Sequence, residues 1–260
     1  MTQPRVLVLR APGTNCDRET VFAFEQAGGQ VELVHINQLL QNARAIAQFQ
    51  IICLPGGFSY GDDIAAGRIL GNQIRHHLFD VLQEFKDAGK LVLGICNGFQ
   101  ILIKSGLLLD SDGDDSPLTL TWNDSGKFED RWVYLATSGR ECVFLDGADS
   151  LYLPVAHAEG KLVFRDAAAL ARLQDQRQLV LRYTPAERVE NGPVPYPANP
   201  NGSQANVAGV CDRSGRVFGL MPHPERYIDP TQHPRWTRGE LQDEGDGMRL
   251  FRNAVRYFES

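Results

Sequence analysis

The segment from Leu91 to Gly98 constrains the fold of this chain more than any other. An apolar run, Leu91-Val92-Leu93, leads into Gly94-Ile95-Cys96-Asn97-Gly98, and a helical pattern begins at Phe99. This G-x-C-x-G spacing predicts a strand that turns sharply into a helix, with the Cys96 side chain at the apex. A Cβ at either flanking glycine would crowd the neighbouring strand or helix. Because the helix N-terminus brings N–H groups and positive partial charge near the sulfur, the pattern favours a nucleophilic thiolate.

Strand and helix patterns alternate through the N-terminal part of the chain. The predicted strands are Arg5–Leu9, Val31–His35, Gln50–Leu54 and Leu91–Ile95, and the predicted helices run from Asp17 to Ala27 and from Ile64 to Ala88. Such alternation predicts a parallel sheet with helices on both faces. Because ligands bind at the carboxyl ends of the strands in such sheets, we expect Pro55-Gly56-Gly57 to adjoin the Cys96 turn.

The second half of the chain contains shorter strand patterns, which we expect to pair partly antiparallel. They are Trp132–Thr137, Cys142–Leu145, Leu151–Val155, Leu179–Tyr183, Asn206–Cys211 and Val217–Met221. Ala167–Gln174 and Asp246–Phe258 are predicted helices, and Asp110–Ser116 and Glu190–Ser203 are predicted loops. The predicted fold is therefore α/β: an open, mostly parallel central sheet with helices on both faces and additional antiparallel strands, forming one domain over residues 1–260.

Composition excludes several classes of function. The net charge of −6 and the pI near 5.5 provide no basic surface for nucleic acid. No apolar run approaches the ~20 residues that a membrane span needs. The chain has five scattered cysteines without C-x-x-C spacing: Cys16, Cys53, Cys96, Cys142 and Cys211. That pattern argues against a zinc site and a disulfide framework, and it predicts a protein of the reducing cytoplasm.

A second group of chemically active residues lies in Met221-Pro222-His223-Pro224-Glu225-Arg226. Prolines on both sides of His223 hold the backbone extended. In an extended segment His223 and Glu225 share a face, so the carboxylate can orient the imidazole. A thiol nucleophile needs such a base, and the base needs such an orienting group.

A third group follows the strand that ends at Leu54. Pro55-Gly56-Gly57-Phe58-Ser59-Tyr60-Gly61-Asp62 begins with paired glycines whose backbone N–H groups can face a ligand. Beside the Cys96 turn, the loop is suited to supply half of an oxyanion hole, with the N–H of Asn97 as the other half.

Together these residues resemble those of class I (triad-type) glutamine amidotransferases, in which a Cys-His-Glu triad hydrolyses glutamine to release ammonia. Within that class the chain is similar to the glutaminase subunits of phosphoribosylformylglycinamidine synthases, which form an amidine in purine biosynthesis. The resemblance covers nearly the whole chain and depends on the motifs already quoted together with Pro12-Gly13-Thr14-Asn15-Cys16-Asp17, Pro154-Val155-Ala156-His157-Ala158-Glu159-Gly160 and Asn199-Pro200-Asn201-Gly202-Ser203.

The resemblance implies a flavodoxin-like fold and a role for each matching residue. Cys96 would be the nucleophile, His223 the general base and acid, and Glu225 the residue that orients His223. Gly57, Phe58, Asn97 and Gln100 would bind the glutamine and its oxyanion. No metal or cofactor is implied for this chain; ATP and magnesium would belong to the partner, a synthase subunit (PurL), and a small subunit, PurS, is left open as a third component.

The chain departs from smaller members of the family. Their Gly-Asp-Tyr-Leu-Arg run is replaced by Gly61-Asp62-Asp63-Ile64-Ala65, and the segments 109–127 and 227–245 are longer. We expect these differences to affect the partner interface rather than the chemistry. The sequence leaves open the stoichiometry, the path of the ammonia and the activity of the isolated chain.

Several alternatives also stay open. A stand-alone γ-glutamyl peptide hydrolase shares the same triad logic, and a non-catalytic module on the same fold is a third possibility. Cys16 is either a packing residue or an activated thiol at a helix start, with packing favoured. His157 and Glu159 either contact substrate or support the structure, with the structural role favoured.

Overall fold

A nine-stranded sheet organises the part of the chain that the computed structural model describes, namely residues 3–109, 116–138, 142–187, 192–238 and 243–259. The strands are β1 (Arg5–Arg10), β2 (Gln30–His35), β3 (Ile51–Leu54), β4 (Leu91–Ile95), β5 (Leu118–Thr121), β6 (Glu129–Thr137), β7 (Ser150–His157), β8 (Lys161–Phe164), β9 (Leu181–Thr184), β10 (Val207–Cys211) and β11 (Val217–Leu220). The helices are α1 (Asp17–Gln26), α2 (Ile36–Gln41), α3 (Arg68–His77), α4 (Phe79–Asp87), α5 (Asn97–Ser105), α6 (Ala167–Asp175) and α7 (Met248–Arg256).

The strand order in the large sheet is β2-β1-β3-β4-β11-β10-β9-β6-β7, and β5 pairs with β8 in a separate two-stranded sheet. The strands from β2 to β11 are parallel, and the remaining strands of the large sheet pair antiparallel. The parallel part has the flavodoxin-like order, in which ligands bind at the carboxyl ends of the strands. The predicted fold class is confirmed.

The central parallel strands are apolar on both faces because helices cover both sides. Every residue of β3, β4 and β11 is buried, as expected for parallel strands between two helical layers. α1 packs on α7, where the Phe24 and Phe251 ring centroids lie 4.9 Å apart, and α3 packs on α5. Since crossovers are right-handed, the connection from β1 to β2 places α1 on the face opposite to α3.

One predicted helix is wrong in its extent. The segment from Ile64 to Ala88 forms two helices, α3 and α4, which meet at Leu78, where φ is −126° and ψ is −3°. α3 begins only at Arg68, after Gly67 with φ of +70°. The apolar stripe continues across the break through the buried residues Leu70, Ile74, Leu78, Leu82 and Phe85, so periodicity does not reveal it.

The predicted strand Cys142–Leu145 is also wrong. Val143–Leu145 is a single 3-10 turn in which Phe144 and Leu145 are buried. A short apolar run serves either a strand or a buried turn, and periodicity does not separate the two. β5, β8 and α2 were not predicted at all.

Parts of the two predicted loops fall outside the described residues. These parts are 110–115 of Asp110–Ser116 and 190–191 of Glu190–Ser203. The described remainder of the second loop, 192–203, contains no helix or strand. Within the described ranges, no helix combines the length and the apolar character needed to cross a membrane.

Candidate active site

Cys96 lies at the apex of the turn between β4 and α5. β4 ends at Ile95, α5 begins at Asn97, and Cys96 between them has φ of +51° and ψ of −105°. A non-glycine residue at such a φ is strained, and strain of this kind clusters at functional sites. The predicted strand–turn–helix elbow is confirmed.

The two flanking glycines are required by space. A Cβ on Gly98 would lie 1.8 Å from the carbonyl oxygen of Leu54, at the end of β3. A Cβ on Gly94 would lie 2.5 Å from Cδ1 of Leu102 in α5. Gly98 therefore lets the elbow approach the neighbouring strand, and Gly94 lets the helix approach its own strand.

The register of β4 and β11 brings the His223 segment to the elbow. Ile95 pairs with Leu220, and the backbone N–H of Cys96 donates to the Leu220 carbonyl at 2.8 Å. The backbone N–H of His223 then donates to the carbonyl of Pro154 in β7 at 2.8 Å, which anchors the segment. Sγ of Cys96 lies 3.8 Å from the carbonyl of Ala156, which is 60 residues away in sequence and belongs to the same strand, β7.

His223 and Glu225 form a buried pair, but the predicted extended backbone is wrong: Pro224–Arg226 is a 3-10 turn that begins directly after His223. Nδ1 of His223 lies 2.6 Å from Oε1 of Glu225, and both residues are at most 2% exposed. Because the carboxylate accepts the hydrogen bond from Nδ1, the other ring nitrogen is left for a different partner. That atom, Nε2, is buried and has no hydrogen-bond partner among the described residues.

The charge state of His223 follows from its neighbours. Burial alone lowers the pKa of the imidazole, but the charges of Glu225 and Cys96 outweigh it, so the pKa lies well above its ordinary value. Glu225 therefore stabilises the imidazolium through Nδ1, and Cys96 adds to the same effect.

The loop after β3 contacts the elbow as expected. The backbone N–H of Ser59 donates to Oδ1 of Asn97 at 3.1 Å. Nδ2 of Asn97 donates to Oε1 of Gln100 at 2.9 Å, and Nε2 of Gln100 donates to the Glu159 carbonyl at 2.7 Å. The loop that carries Gly57 is thus brought to Asn97 and Gln100, and Gln100 is buried with its amide bonded within the protein. Phe58, in the same loop, keeps 46% of its surface exposed.

His157 supports the structure from within a polar network. Its Nδ1 lies 3.1 Å from Oδ1 of Asn123, and Nδ2 of Asn201 lies 3.4 Å from its Nε2. Burial, followed by the charge of His223, lowers the pKa of His157 to about 3. His157 is therefore neutral, and Asn201 also donates to the hydroxyl of Tyr183 at 3.1 Å.

Cys16 lies against His223, a contact that the sequence did not predict. Its Sγ is 3.9 Å from Nδ1 of His223, and Nη2 of Arg226 donates to the sulfur at 3.2 Å. Burial raises the pKa of the Cys16 thiol. Cys16 is therefore a neutral thiol, in agreement with the favoured packing interpretation rather than an activated nucleophile. The signal available in the sequence was its place after β1, whose carboxyl end adjoins that of β3.

Within the described ranges, one group of metal-ligating side chains lies close enough to share an ion. It consists of Cys16, His223 and Glu225, whose ligand atoms all lie within 4.8 Å of one another. A cation there would displace the hydrogen bond from His223 to Glu225 and compete with the Arg226 guanidinium for the sulfur. The group is better suited to holding an imidazole than to binding a metal ion.

A cavity of about 640 Å³ lies beside this site. Arg68, Lys104, Trp122 and Glu159 contribute to its lining, whereas the Cys96 and His223 side chains do not. Glu159 is the link between the two, because its backbone carbonyl accepts the bond from Gln100.

Fold and site together define a class: α/β proteins in which an elbow cysteine stands beside a buried histidine–glutamate pair. Comparison with known proteins narrows this class. The model of the CobB/CobQ-like glutamine amidotransferase domain matches residues 3–258. The phosphoribosylformylglycinamidine synthase subunit PurQ of Dehalococcoides mccartyi is 49% identical over 258 residues, covering 99% of this chain and 98% of that protein. The protein of the same name from Methanococcus maripaludis is 40% identical over 268 residues, covering 98% and 97%.

Solved structures of related proteins have the same fold. A chain in the structure of PurLQS from Thermotoga maritima is 32% identical with a TM-score of 0.73, covering 99% of this chain and 100% of that chain. A glutamine amidotransferase from the same organism, 17% identical with a TM-score of 0.50, shares the fold and covers 91% of this chain and 81% of its own. The chain belongs to the CobB/CobQ-like glutamine amidotransferases and, among them, to the family of phosphoribosylformylglycinamidine synthase subunits PurQ.

Proposed function

We propose that this chain is the glutaminase subunit of a phosphoribosylformylglycinamidine synthase. It hydrolyses glutamine to glutamate and ammonia, and the ammonia passes to a synthase subunit that converts formylglycinamide ribonucleotide to its amidine. The observation that carries the proposal is the strained Cys96 elbow beside His223, whose Nδ1 lies 2.6 Å from Glu225. Family membership at 49% identity supports the choice of substrate and product.

In the first half of the reaction, the Cys96 sulfur, whose proton is held at Nε2 of His223, attacks the side-chain amide carbon of glutamine. A C–S bond forms, and the amide oxygen becomes an oxyanion held by the backbone N–H groups of Gly57 and Asn97. Each such donor lowers the barrier by about 3 kcal/mol. His223 then gives its Nε2 proton to the nitrogen, the C–N bond breaks, and ammonia leaves.

In the second half, water replaces ammonia. His223 accepts a proton from the water, which attacks the γ-glutamyl thioester; the C–S bond breaks and glutamate is released. Glu225 holds the Nδ1 side of the ring through both halves and stabilises the imidazolium each time it forms. Both proton transfers require the Nε2 atom of His223, which no group among the described residues occupies by a hydrogen bond.

The glutamine site is completed by Phe58 and Gln100. Phe58 is exposed in the loop after β3, next to Gly57, where its ring is able to cover a bound glutamine. Gln100 acts by holding Asn97 and the Glu159 carbonyl in place, as its two amide bonds indicate.

The remaining features follow from the same assignment. The partner is a synthase subunit, PurL, together with a small PurS subunit; the Thermotoga maritima assembly described as PurLQS supports this choice. ATP and magnesium act in the partner, and no metal or cofactor acts in this chain. Five free, buried thiols support a cytoplasmic location, and one family match over residues 3–258 supports a single domain.

Glutamate release from glutamine tests the proposal. The purified chain is assayed alone and with its co-purified synthase partner, as wild type, as Cys96→Ala and as Cys142→Ala. Cys142 is a matched control, because it is also buried but lies directly before the core turn Val143–Leu145. We expect activity that the partner stimulates, that Cys96→Ala abolishes and that Cys142→Ala retains.

Two results would contradict it. Turnover that survives Cys96→Ala would refute the proposed nucleophile. High activity of the isolated chain on γ-glutamyl peptides, without stimulation by the partner, would indicate the stand-alone hydrolase instead.

A further inference from the structure

The loop that follows β1, residues 11–16, contacts the histidine of the site through one side chain. Sγ of Cys16 lies 3.9 Å from Nδ1 of His223, although the two residues are 207 positions apart. A Cβ added to Gly56 would lie 2.8 Å from Cε1 of His223 and 3.1 Å from the Cys16 sulfur. Gly56, Cys16 and the imidazole are thus neighbours of one another, while Glu225 holds Nδ1 of the ring.

The Cys16 sulfur is itself held in place. Nη2 of Arg226 donates to it at 3.2 Å, and its thiol donates to Oδ1 of Asn15 at 3.3 Å. Arg226 is fixed in turn by Glu19 in α1, whose Oε2 accepts from Nε at 3.0 Å. A sulfur with both its donor and its acceptor capacity in use is a rigid neighbour rather than a reagent.

The backbone of residues 11–16 also holds the loop after β3, which carries Gly57. The N–H of Phe58 donates to the Gly13 carbonyl at 2.9 Å, and that of Tyr60 donates to the Pro12 carbonyl at 2.7 Å. The N–H of Cys16 donates to the Gly56 carbonyl at 3.2 Å. One loop therefore sets the position of the imidazole relative to the loop that carries Gly57.

We propose that Cys16 is a positioning residue, which holds the His223 ring against Glu225 so that Nε2 stays directed at Cys96. The inference rests on the proposed function for its catalytic meaning. Without the sulfur, the ring has free space on its Nδ1 side and tilts away from the elbow. The Cys96–His223 pair then spends less time in its reactive geometry, and substrate binding, which uses other residues, is little changed.

The test compares Cys16→Ala, Cys16→Ser and the control Cys142→Ala, each of which alters one buried sulfur. Steady-state kinetics with glutamine and the partner give kcat and KM. The pH profile of Cys96 alkylation by iodoacetamide, followed by mass spectrometry of the Cys96 peptide, reports on the Cys96–His223 pair without glutamine or partner. Thermal melting shows that each variant is folded.

For Cys16→Ala we expect kcat to fall about tenfold with little change in KM, since a displacement of about 1 Å costs about 100-fold and the ring moves less than that. The titratable groups that act on the ring are Glu225, Cys96, Cys16 and His157. Because a ring that tilts away from Glu225 loses part of the stabilisation by that carboxylate, which raises the pKa of His223, the variant should lose the imidazolium at lower pH. The alkylation profile then ends its plateau at lower pH, and Cys16→Ser restores part of both effects.

The inference is overturned if Cys16→Ala matches Cys142→Ala in kcat and its alkylation profile coincides with that of the wild type; Cys16 is then a packing residue only. Failure of the proposed function looks different. In that case the wild type with partner does not turn over glutamine, while the alkylation profiles still decide whether Cys16 holds the ring.

Discussion

Replacing Gly98 with alanine tests the geometry of the elbow without removing any chemical group. The added Cβ would lie 1.8 Å from the Leu54 carbonyl oxygen, whereas real Cβ atoms keep at least 3.0 Å from their neighbours. The start of α5 must therefore retreat from β3 by at least the difference, 3.0 − 1.8 = 1.2 Å. Cys96, two residues earlier on the same turn, moves with it.

Both activity and stability should respond. A displacement of about 1 Å at a reacting group costs about 100-fold in rate, which corresponds to about 2.7 kcal/mol of barrier. Overpacking a buried position costs about 1–3 kcal/mol of the free energy of unfolding. We expect Gly98→Ala to lose about 100-fold in kcat while still folding.

Glutamate release with the partner measures kcat, and denaturant unfolding measures stability. Gly89→Ala is the matched control: apart from its chain neighbours, no described residue lies within 4 Å of its added Cβ, and its φ of +78° makes the cost one of backbone strain. The control should lose about 1–2 kcal/mol of stability and keep its kcat. Gly98→Ala with kcat within a few-fold of the wild type would refute the steric account of the elbow.

Two further substitutions address the buried charges. Glu225→Gln keeps the shape but removes the charge that raises the pKa of His223; we expect kcat with glutamine to fall by about 10²–10⁴-fold, and a loss of only a few-fold would contradict the role of Glu225. His157→Gln addresses stability: with a folded-state pKa of about 3 against 6.5 for the ordinary histidine, the folded protein binds fewer protons than the unfolded chain between these values. The stability from neutral His157 is therefore present above pH 6.5 and is lost as the pH falls towards 3, by up to about 1.4 kcal/mol per pH unit. Urea unfolding across that range should give a flatter dependence for His157→Gln than for the wild type, and equal slopes would contradict the assignment.

Short-range patterns predicted the parts of the site that local geometry controls. The G-x-C-x-G spacing predicted the elbow because neither glycine has room for a side chain. A Cβ on Gly94 would meet Leu102 in the helix that follows, and a Cβ on Gly98 would meet Leu54 on the neighbouring strand. His-Pro-Glu predicted the His223–Glu225 pair, but not its backbone: Pro224–Arg226 is a 3-10 turn rather than an extended segment, and the two side chains meet because they are close neighbours in sequence. The alternation of strands and helices predicted that Pro55-Gly56-Gly57 would meet the elbow, as the bond from Ser59 to Asn97 shows.

Features that depend on distant contacts were missed or misread. The break at Leu78 is not visible in the apolar pattern, because the buried residues of α3 and α4 continue one stripe across it. β5 and β8 are short strands far apart in sequence, and only their pairing defines them. Val143–Leu145 is a buried turn in which Phe144 packs against Phe218, with ring centroids 5.9 Å apart, and a short apolar run alone does not distinguish such a turn from a strand.

The sequence by itself determined the class of fold, the elbow cysteine and the histidine–glutamate pair, since each depends on a pattern or motif of residues that lie close together along the chain. The tertiary structure alone decided how those residues meet. The register of β4 with β11 places Cys96 beside the His223 segment, and the carboxyl end of β1 brings Cys16 against the imidazole from 207 residues away. Contacts between strands that are neighbours in the sheet but remote in sequence leave no periodic signal, because what stabilises them is burial in a shared core.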